Sequence, residues 1–216
     1  MGTARGAPFL PAVRPRTPPG PRAGDHDIIV VGAPVAAAQT ASMFLIGLRG
    51  AFALPLVLLL GGADGDDRER LVSLQAHCEL PVRLVDDKDP IIGGRIHLAP
   101  ADYHLLVEED HFALSTEAPL RGARPSIDVL FESVADSFGA RAVCVLLGGD
   151  ERPDGDGRAG AAKVRARGGL VIVENPATSV GIEPRGDAPL ATATVLHLSE
   201  IAPFLSRLSL ADAEAP

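Results

Sequence analysis

Short apolar runs alternate with stretches of helical spacing along most of the chain. The run Ile28–Val31 is apolar at every position, as expected of a parallel strand that is covered on both faces. Further strands are predicted at 55–60, 82–85, 142–147 and 170–173 and near 195–196. Helices are predicted over 35–48, 68–78, 126–138, 158–167 and 199–208.

The alternating pattern is interrupted over residues 91–116. Three short strand-like pieces, at 95–98, 104–108 and 112–115, are separated there by turn residues, which predicts a short antiparallel insertion. The sequence therefore predicts an α/β fold: a doubly wound, mostly parallel, Rossmann-like sheet with this insertion around 91–116. In such sheets reactive groups lie at the carboxyl ends of the strands, here 32–35, 61–67 and 148–157.

The two ends of the chain differ from its centre. Residues 1–24 hold four arginines, no acidic residue and six of the 19 prolines, and they contain no apolar run that would suit a secretory signal. We therefore expect a disordered Pro/Arg-rich tail over 1–26, one domain over 27–208 and a disordered C-terminus over 209–216.

Composition narrows the class of protein. A net charge of −8 and the absence of tryptophan argue against a nucleic-acid partner. The most apolar run, 51–60, is about half of the roughly 20 residues that a membrane span needs, so no membrane insertion is expected. Two cysteines make no disulfide framework and suit a reducing compartment. We expect a cytoplasmic protein.

Three motifs carry a family resemblance. Residues 93–105 contain Gly-Gly-Arg-Ile-His-Leu-Ala-Pro and Asp-Tyr-His-Leu, residues 124–133 read Arg-Pro-Ser-Ile-Asp-Val-Leu-Phe-Glu-Ser, and residues 174–178 read Glu-Asn-Pro-Ala-Thr. In order and spacing they resemble the catalytic domain of the chemotaxis protein-glutamate methylesterase CheB. The family commonly carries an N-terminal receiver domain, which residues 1–26 are too short to hold, so we expect a stand-alone copy.

The resemblance implies a serine nucleophile, a histidine base and an orienting aspartate that hydrolyse receptor glutamyl methyl esters. The family turn Gly-Ala-Ser-x-Gly-Gly reads Gly-Ala-Pro-Val-Ala-Ala here, which places Pro34 at the serine position. Gly61 stands at the histidine position. Asp156 aligns with the catalytic aspartate and is the one triad member retained, with Asp154 as an alternative.

These replacements predict a catalytically inactive family member, a pseudoenzyme. Thr40 and Ser42 lie roughly 9 and 12 Å beyond Pro34 along the predicted helix, too far to replace the serine. The protein would act in signal transduction by binding a chemoreceptor or another chemosensory protein. The alternative is residual or altered ester hydrolysis, with a water activated by carboxylates or by a bound cation.

Acidic residues are frequent in the two loops where the family carries its catalytic histidine and aspartate. Asp64 and Asp66 follow the second strand, while Asp154 and Asp156 belong to the aspartate loop. If the loops meet, their oxygens would suit Ca²⁺ or Mg²⁺; the other interpretation is that they are solvated turns. No other cofactor is predicted.

Four further residues have candidate roles. His104 is expected to be structural or to line the pocket rim, and the pair His77–Cys78 lacks a matching pair of metal ligands. Ser126 and Asp128 are expected to cap a helix and could also line the pocket edge.

Overall fold

The structure is a computed structural model that describes residues 26–48, 52–62, 66–148, 155–175 and 193–211. Nine strands are found in these ranges: β1 (Ile28–Ala33), β2 (Leu56–Leu60), β3 (Val82–Leu84), β4 (Ile96–Leu98), β5 (His104–Val107), β6 (Phe112–Ser115), β7 (Ala142–Leu146), β8 (Leu170–Glu174) and β9 (Thr194–Leu196). The α-helices there are α1 (Ala38–Gly47), α2 (Asp67–Gln75), α3 (Ile127–Phe138), α4 (Arg158–Ala166) and α5 (Leu198–Ala211).

Seven of these strands form one sheet in the order β3-β4-β2-β1-β7-β8-β9, and all of its pairings are parallel. Strands β2, β3 and β4 lie on one side of β1, with β4 inserted between β2 and β3, and β7, β8 and β9 follow on the other side. The change of direction between β1 and β7 is the point where doubly wound sheets leave a crevice at their carboxyl ends. The predicted α/β class is confirmed.

Two apolar cores cover the faces of the sheet. All six residues of β1 are buried, and alternate positions belong to different cores because side chains alternate along a strand. Ile29 and Val31 pack with α1, α2 and α5, whereas Ile28 and Val30 pack with α3, α4 and the β5–β6 pair. An apolar run without alternation is the expected signature of such a strand.

The insertion is smaller than the sequence predicts. Of the three strand-like pieces, only β5 and β6 form the antiparallel pair. The first piece, β4, lies in the main sheet, parallel to both β2 and β3. Its three residues are all buried, as expected of a strand that is covered on both faces of the sheet. The last helix, α5, also continues beyond the predicted end at Leu208.

Within the described ranges, no helix combines the length and the apolar character that crossing a bilayer would require. The predicted tail is outside the described residues except for His26.

Candidate functional site

The central strands end together at one edge of the sheet. In the parallel register Ala33 of β1 lies opposite Leu60 of β2, and Gly32 lies opposite Leu146 of β7. The pairing extends one residue past the strands, since Gly61 donates its N–H to the carbonyl of Ala33 at 2.7 Å. The segments that follow β1, β2 and β7 therefore start side by side.

Pro34 and Gly61 are direct neighbours at this edge. A Cβ atom built on Gly61 would lie 3.2 Å from the Cα of Pro34 and 3.4 Å from the backbone nitrogen of Val35. Pro34 is extended, with φ −64° and ψ 167°, and its carbonyl accepts the N–H of Ala37 at 2.7 Å to start the turn into α1. The positions that the resemblance gives to nucleophile and base meet, but neither residue has a side chain that can donate or accept a proton.

Val35 gives this edge an apolar surface. A Cβ on Gly62 would lie 1.9 Å from Cγ2 of Val35, so the valine occupies the space directly above that glycine. Gly62 has a φ of +59°, which favours glycine in any case. Val35 itself is 63% exposed. Where the resemblance predicts a hydroxyl and an imidazole, the molecule presents proline, glycine and an exposed valine.

Asp156 is directed at the N-terminus of α3. Its carboxylate accepts the hydroxyl of Ser126 at 2.8 Å and the backbone N–H groups of Ile127 and Asp128 at 2.8 and 2.9 Å. These donors occupy both oxygens and lie where a helix has unpaired N–H groups and a partial positive charge. Asp156 therefore acts as a helix cap in this structure.

Asp128 makes the reverse connection. One of its oxygens accepts the N–H groups of Gly157 and Gly160 at 2.9 and 2.8 Å, at the start of α4, while the other accepts from the guanidinium of Arg121 at 2.9 Å. Its side chain is only 1% exposed. Asp156, just before α4, thus caps α3, and Asp128, in the first turn of α3, caps α4. We call this pair of aspartates the reciprocal cap.

The described part of the acidic loops is engaged with backbone groups. Asp66 caps α2 by accepting the N–H of Arg68 at 2.9 Å. Asp64 and Asp154 lie outside the described residues. Within the described ranges no group of three or more His, Cys, Asp or Glu side chains could hold a metal. The cation hypothesis stays a prediction.

Glu174 is a site residue whose role the sequence did not reveal, although it opens the third motif. It is fully buried at the end of β8, and its carboxylate accepts the N–H of Gly148 at 2.6 Å. It thereby fixes the start of the segment that follows β7. A glutamate directly after a run of apolar strand residues was the available signal. Residues 176–178 of that motif lie outside the described residues.

The hydroxyl groups on α1 are not part of the edge. Thr40 is buried, and the Ser42 hydroxyl donates back to the carbonyl of Ala38 at 3.3 Å. Ser126 is confirmed as the N-cap of α3, with its hydroxyl accepting the N–H of Val129 at 3.5 Å.

The remaining candidates have structural environments. His104 is buried in β5, with Nε2 3.2 Å from the carbonyl of Ala118. Nδ1 of His77 lies 2.7 Å from the carbonyl of Ser73. Burial raises the pKa of the Cys78 thiol, which disfavours the reactive thiolate.

Comparison with known proteins identifies the family. The sequence profile of the CheB methylesterase family matches residues 29–205. A relative from Leptospira interrogans is 30% identical over 187 residues, which cover 85% of this chain and 95% of the relative. The protein-glutamate methylesterase/protein-glutamine glutaminase 2 of Caulobacter vibrioides is 32% identical over 213 residues, or 94% of this chain but 60% of that protein.

A solved structure agrees with this assignment. The CheB methylesterase catalytic domain of Thermotoga maritima superimposes with a TM-score of 0.74 at 25% identity, covering 85% of this chain and 98% of that domain. The profile match, the identities and the shared sheet lead to one conclusion: this chain belongs to the CheB methylesterase family.

Proposed function

We propose that this chain is a CheB-type domain without esterase activity, which acts by binding a chemosensory protein. The observation that carries the proposal is the contact between Pro34 and Gly61. The fold brings together the two positions where the family mechanism needs a hydroxyl and an imidazole. Here these positions hold a proline, whose ring nitrogen has no N–H, and a glycine, whose side chain is a hydrogen atom.

The missing groups are those that the chemistry cannot do without. A serine hydroxyl attacks an ester only when a base removes its proton, and the base needs a partner that fixes its tautomer. Loss of triad members typically costs about 10⁴–10⁶-fold in rate. Asp156 is poorly placed to compensate for this loss, because three hydrogen bonds hold its carboxylate against the Ser126 hydroxyl and the first N–H groups of α3.

The chemistry of the partner follows from the family. The names of relatives describe action on protein-bound glutamate methyl esters and glutamines. A domain that keeps the scaffold but not the catalytic groups would bind such a segment and leave it unchanged. We therefore propose the cytoplasmic part of a chemoreceptor as the partner and the cytoplasm as the place of action.

A turnover assay tests the loss of activity. Purified protein is incubated with a methylated chemoreceptor fragment, and methanol release is measured with and without millimolar Ca²⁺ or Mg²⁺. The Thermotoga maritima catalytic domain serves as the positive control. We expect no methanol above background and no serine labelled by a phosphonofluoridate. Release only with a cation would support the hydrolase alternative, which involves carboxylates of both acidic loops: Asp64, Asp66, Asp150, Asp154 and Asp156.

A binding assay tests whether the domain binds a chemoreceptor. The same receptor fragment, immobilised, should retain the wild-type chain, and Val35→Asp should weaken binding because it places a charge on the apolar edge. Val72→Asp is the matched control, since Val72 is 62% exposed on a different helix, α2. If the wild type fails to bind, or if both variants bind equally well, the edge is not a receptor-binding surface.

A further inference from the structure

Lysine is rare in this chain, and its two lysines have different partners. Of the 20 lysine and arginine residues, only Lys88 and Lys163 are lysines. The ammonium of Lys163 lies 2.7 Å from a carboxylate oxygen of Asp136, which is an ordinary ion pair. The ammonium of Lys88 lies 3.2 Å from Nε2 of His111. One lysine therefore faces a carboxylate, and the other faces a side chain that can take a proton from it near neutral pH.

A carboxylate fixes the imidazole of His111 from its other side. Nδ1 of His111 lies 2.6 Å from Oδ1 of Asp110, and this hydrogen bond lowers the pKa of the Asp110 carboxyl. An ionised carboxylate can only accept, so Nδ1 carries the hydrogen and Nε2 of the neutral ring presents a lone pair to Lys88. The order carboxylate, imidazole, amine is the order in which an enzyme orients a base towards a nucleophile.

The backbone holds the turn that carries Lys88 against the hairpin that carries His111. The N–H of Lys88 donates to the carbonyl of Phe112 at 2.9 Å, and the N–H of Phe112 donates to the carbonyl of Asp89 at 2.9 Å. Lys88 has a φ of +68°, a conformation that is uncommon outside glycine and that clusters at functional sites. The two side chains therefore start from fixed backbone positions.

The acidic residues next to Lys88 accept hydrogen bonds from backbone N–H groups. Asp86 accepts the N–H of Asp87 at 2.8 Å, and Asp89 accepts the N–H of Asp86 at 2.8 Å. Asp87 accepts the N–H of Leu114 at 3.0 Å. These carboxylates stabilise the turn, and the imidazole is the hydrogen-bond acceptor that faces the ammonium of Lys88.

We propose that Lys88 is a site of acyl modification, with His111 as the base and Asp110 as the residue that orients this base. The substrate is an activated acyl group, carried by a thioester or by an acyl phosphate. After its ammonium has lost one proton to water, the amine of Lys88 attacks the acyl carbon and forms an amide N–C bond. Nε2 of His111 takes the second proton from the nitrogen. The C–S or C–O bond breaks, and its electron pair leaves with the thiolate or the phosphate.

A donor can reach this group from solvent. Lys88 is exposed, and the side chain of His111 is 30% exposed. Acylation removes the positive charge of Lys88 and leaves the Asp-Asp-Lys-Asp turn, residues 86–89, with its carboxylates alone. The modification would therefore change the charge of this surface.

The inference does not depend on the proposed function. Lys88, His111 and Asp110 belong neither to the edge at Pro34 and Gly61 nor to the reciprocal cap. A failure of receptor binding would leave the inference untouched, and the reverse is also true.

Competition between the two lysines of one molecule tests the proposal. The full chain is incubated with acetyl phosphate or, separately, with acetyl-coenzyme A, and acetylation of Lys88 and Lys163 is followed by peptide mass spectrometry. We expect Lys88 to react about tenfold faster, less than the roughly 10²–10⁴-fold that a positioned base contributes in an enzyme site, because this pair is open to water. Preference for Lys88 with either donor supports the proposal, and the donor that reacts identifies the carrier of the acyl group. Equal rates at the two lysines, or no reaction with either donor, overturn it.

Two variants distinguish a base from simple exposure. His111→Gln keeps an acceptor for the ammonium but cannot take a proton, so it should lower the rate at Lys88 to that at Lys163. Asp110→Asn should lower the rate in part, because the imidazole loses the carboxylate that orients it. Glu109→Gln removes the same charge from the adjacent exposed residue and should leave the ratio unchanged.

The rate at Lys163 reports in every variant whether the fold is intact, since this lysine lies on α4. It should stay at the wild-type value. A preference for Lys88 that survives His111→Gln would show that exposure alone sets the rate, and the proposal would then be wrong.

Discussion

The edge at Pro34 and Gly61 and the reciprocal cap belong to the same domain but have very different chemistry. At the edge, the two positions that meet carry a proline and a glycine, and the adjacent side chain of Val35 is exposed and apolar. At the reciprocal cap, two carboxylates accept six hydrogen bonds from backbone, hydroxyl and guanidinium donors. The two meeting positions of the first region have no polar side chain, whereas both carboxylates of the second are hydrogen-bonded.

The difference shows which side chains the fold needs for its stability. The edge at Pro34 and Gly61 forms by backbone hydrogen bonds alone, so the fold does not depend on a polar side chain there. An aspartate at the reciprocal cap accepts hydrogen bonds from N–H groups that would otherwise be buried without a partner. Its loss should therefore lower the free energy of unfolding. The hydrogen bonds of Asp156 thus give a structural reason for its presence that does not require catalysis.

The largest effect is expected at Asp128. Asp128→Ala removes the acceptor for the N–H groups of Gly157 and Gly160 and leaves Arg121 without its partner. Because these donors surround a buried carboxylate, we expect a loss of about 3 kcal/mol in the free energy of unfolding. Urea denaturation measures it. Asp136→Ala, on an exposed stretch of the same helix, is the control and should cost much less.

A smaller loss is expected at Asp156. Asp156→Ala should cost about 2 kcal/mol, because the N–H groups of Ile127 and Asp128 lose their acceptor while Ser126 still caps Val129. Asp156→Asn keeps one acceptor oxygen and should cost clearly less. If both variants are as stable as the wild type, the reciprocal cap does not explain why this residue is present.

Restoring the triad residues should have little effect on stability and none on activity. Pro34→Ser combined with Gly61→His should lower the free energy of unfolding by about 1 kcal/mol, through the loss of a rigid residue and the narrow space at Gly61. Methanol release should stay at background, since Asp156 is held by α3. Turnover above the wild-type level would contradict this and would show that Asp156 can be recruited.

The smallest effect is expected at His97, a buried residue outside both regions. Burial lowers the pKa of its imidazole, whose Nε2 lies 2.9 Å from the carbonyl of Ile92. As pH falls below about 6.5 the unfolded chain binds this proton before the folded one does, so the free energy of unfolding declines until the folded pKa is passed. The difference between wild type and His97→Gln, measured from pH 8 to pH 5 (about the range that a histidine spans), should narrow on acidification.

The sequence predicted most of the sheet, since buried parallel strands are short apolar runs and β1, β2, β7 and β8 all show that pattern. The place of β4 was not predictable in the same way. Its Ile-His-Leu triplet is too short to show a period, and its partners β2 and β3 are decided by packing across the sheet. Element type is a local property here, whereas strand order is not.

Part of the candidate site could likewise be predicted from the sequence and part could not. The contact between Pro34 and Gly61 is predictable, because the two residues follow parallel strands that end at one edge of the sheet. The partners of Asp156 could not be predicted, because its hydrogen bonds reach residues that are 28 to 30 positions earlier in the chain. Asp128 was expected to cap a helix, but it caps α4 rather than its own.

The reciprocal cap also has a consequence for how the molecule opens. Each of α3 and α4 depends on an aspartate that lies at the start of the other, so unwinding the first turn of one exposes unpaired N–H groups in both. The two helices should behave as one cooperative unit, a foldon that spans a strand and a loop of intervening chain. In native-state hydrogen exchange, the amides of Ile127 and Gly160 should then exchange through a shared opening, with equal free energies and equal sensitivity to denaturant.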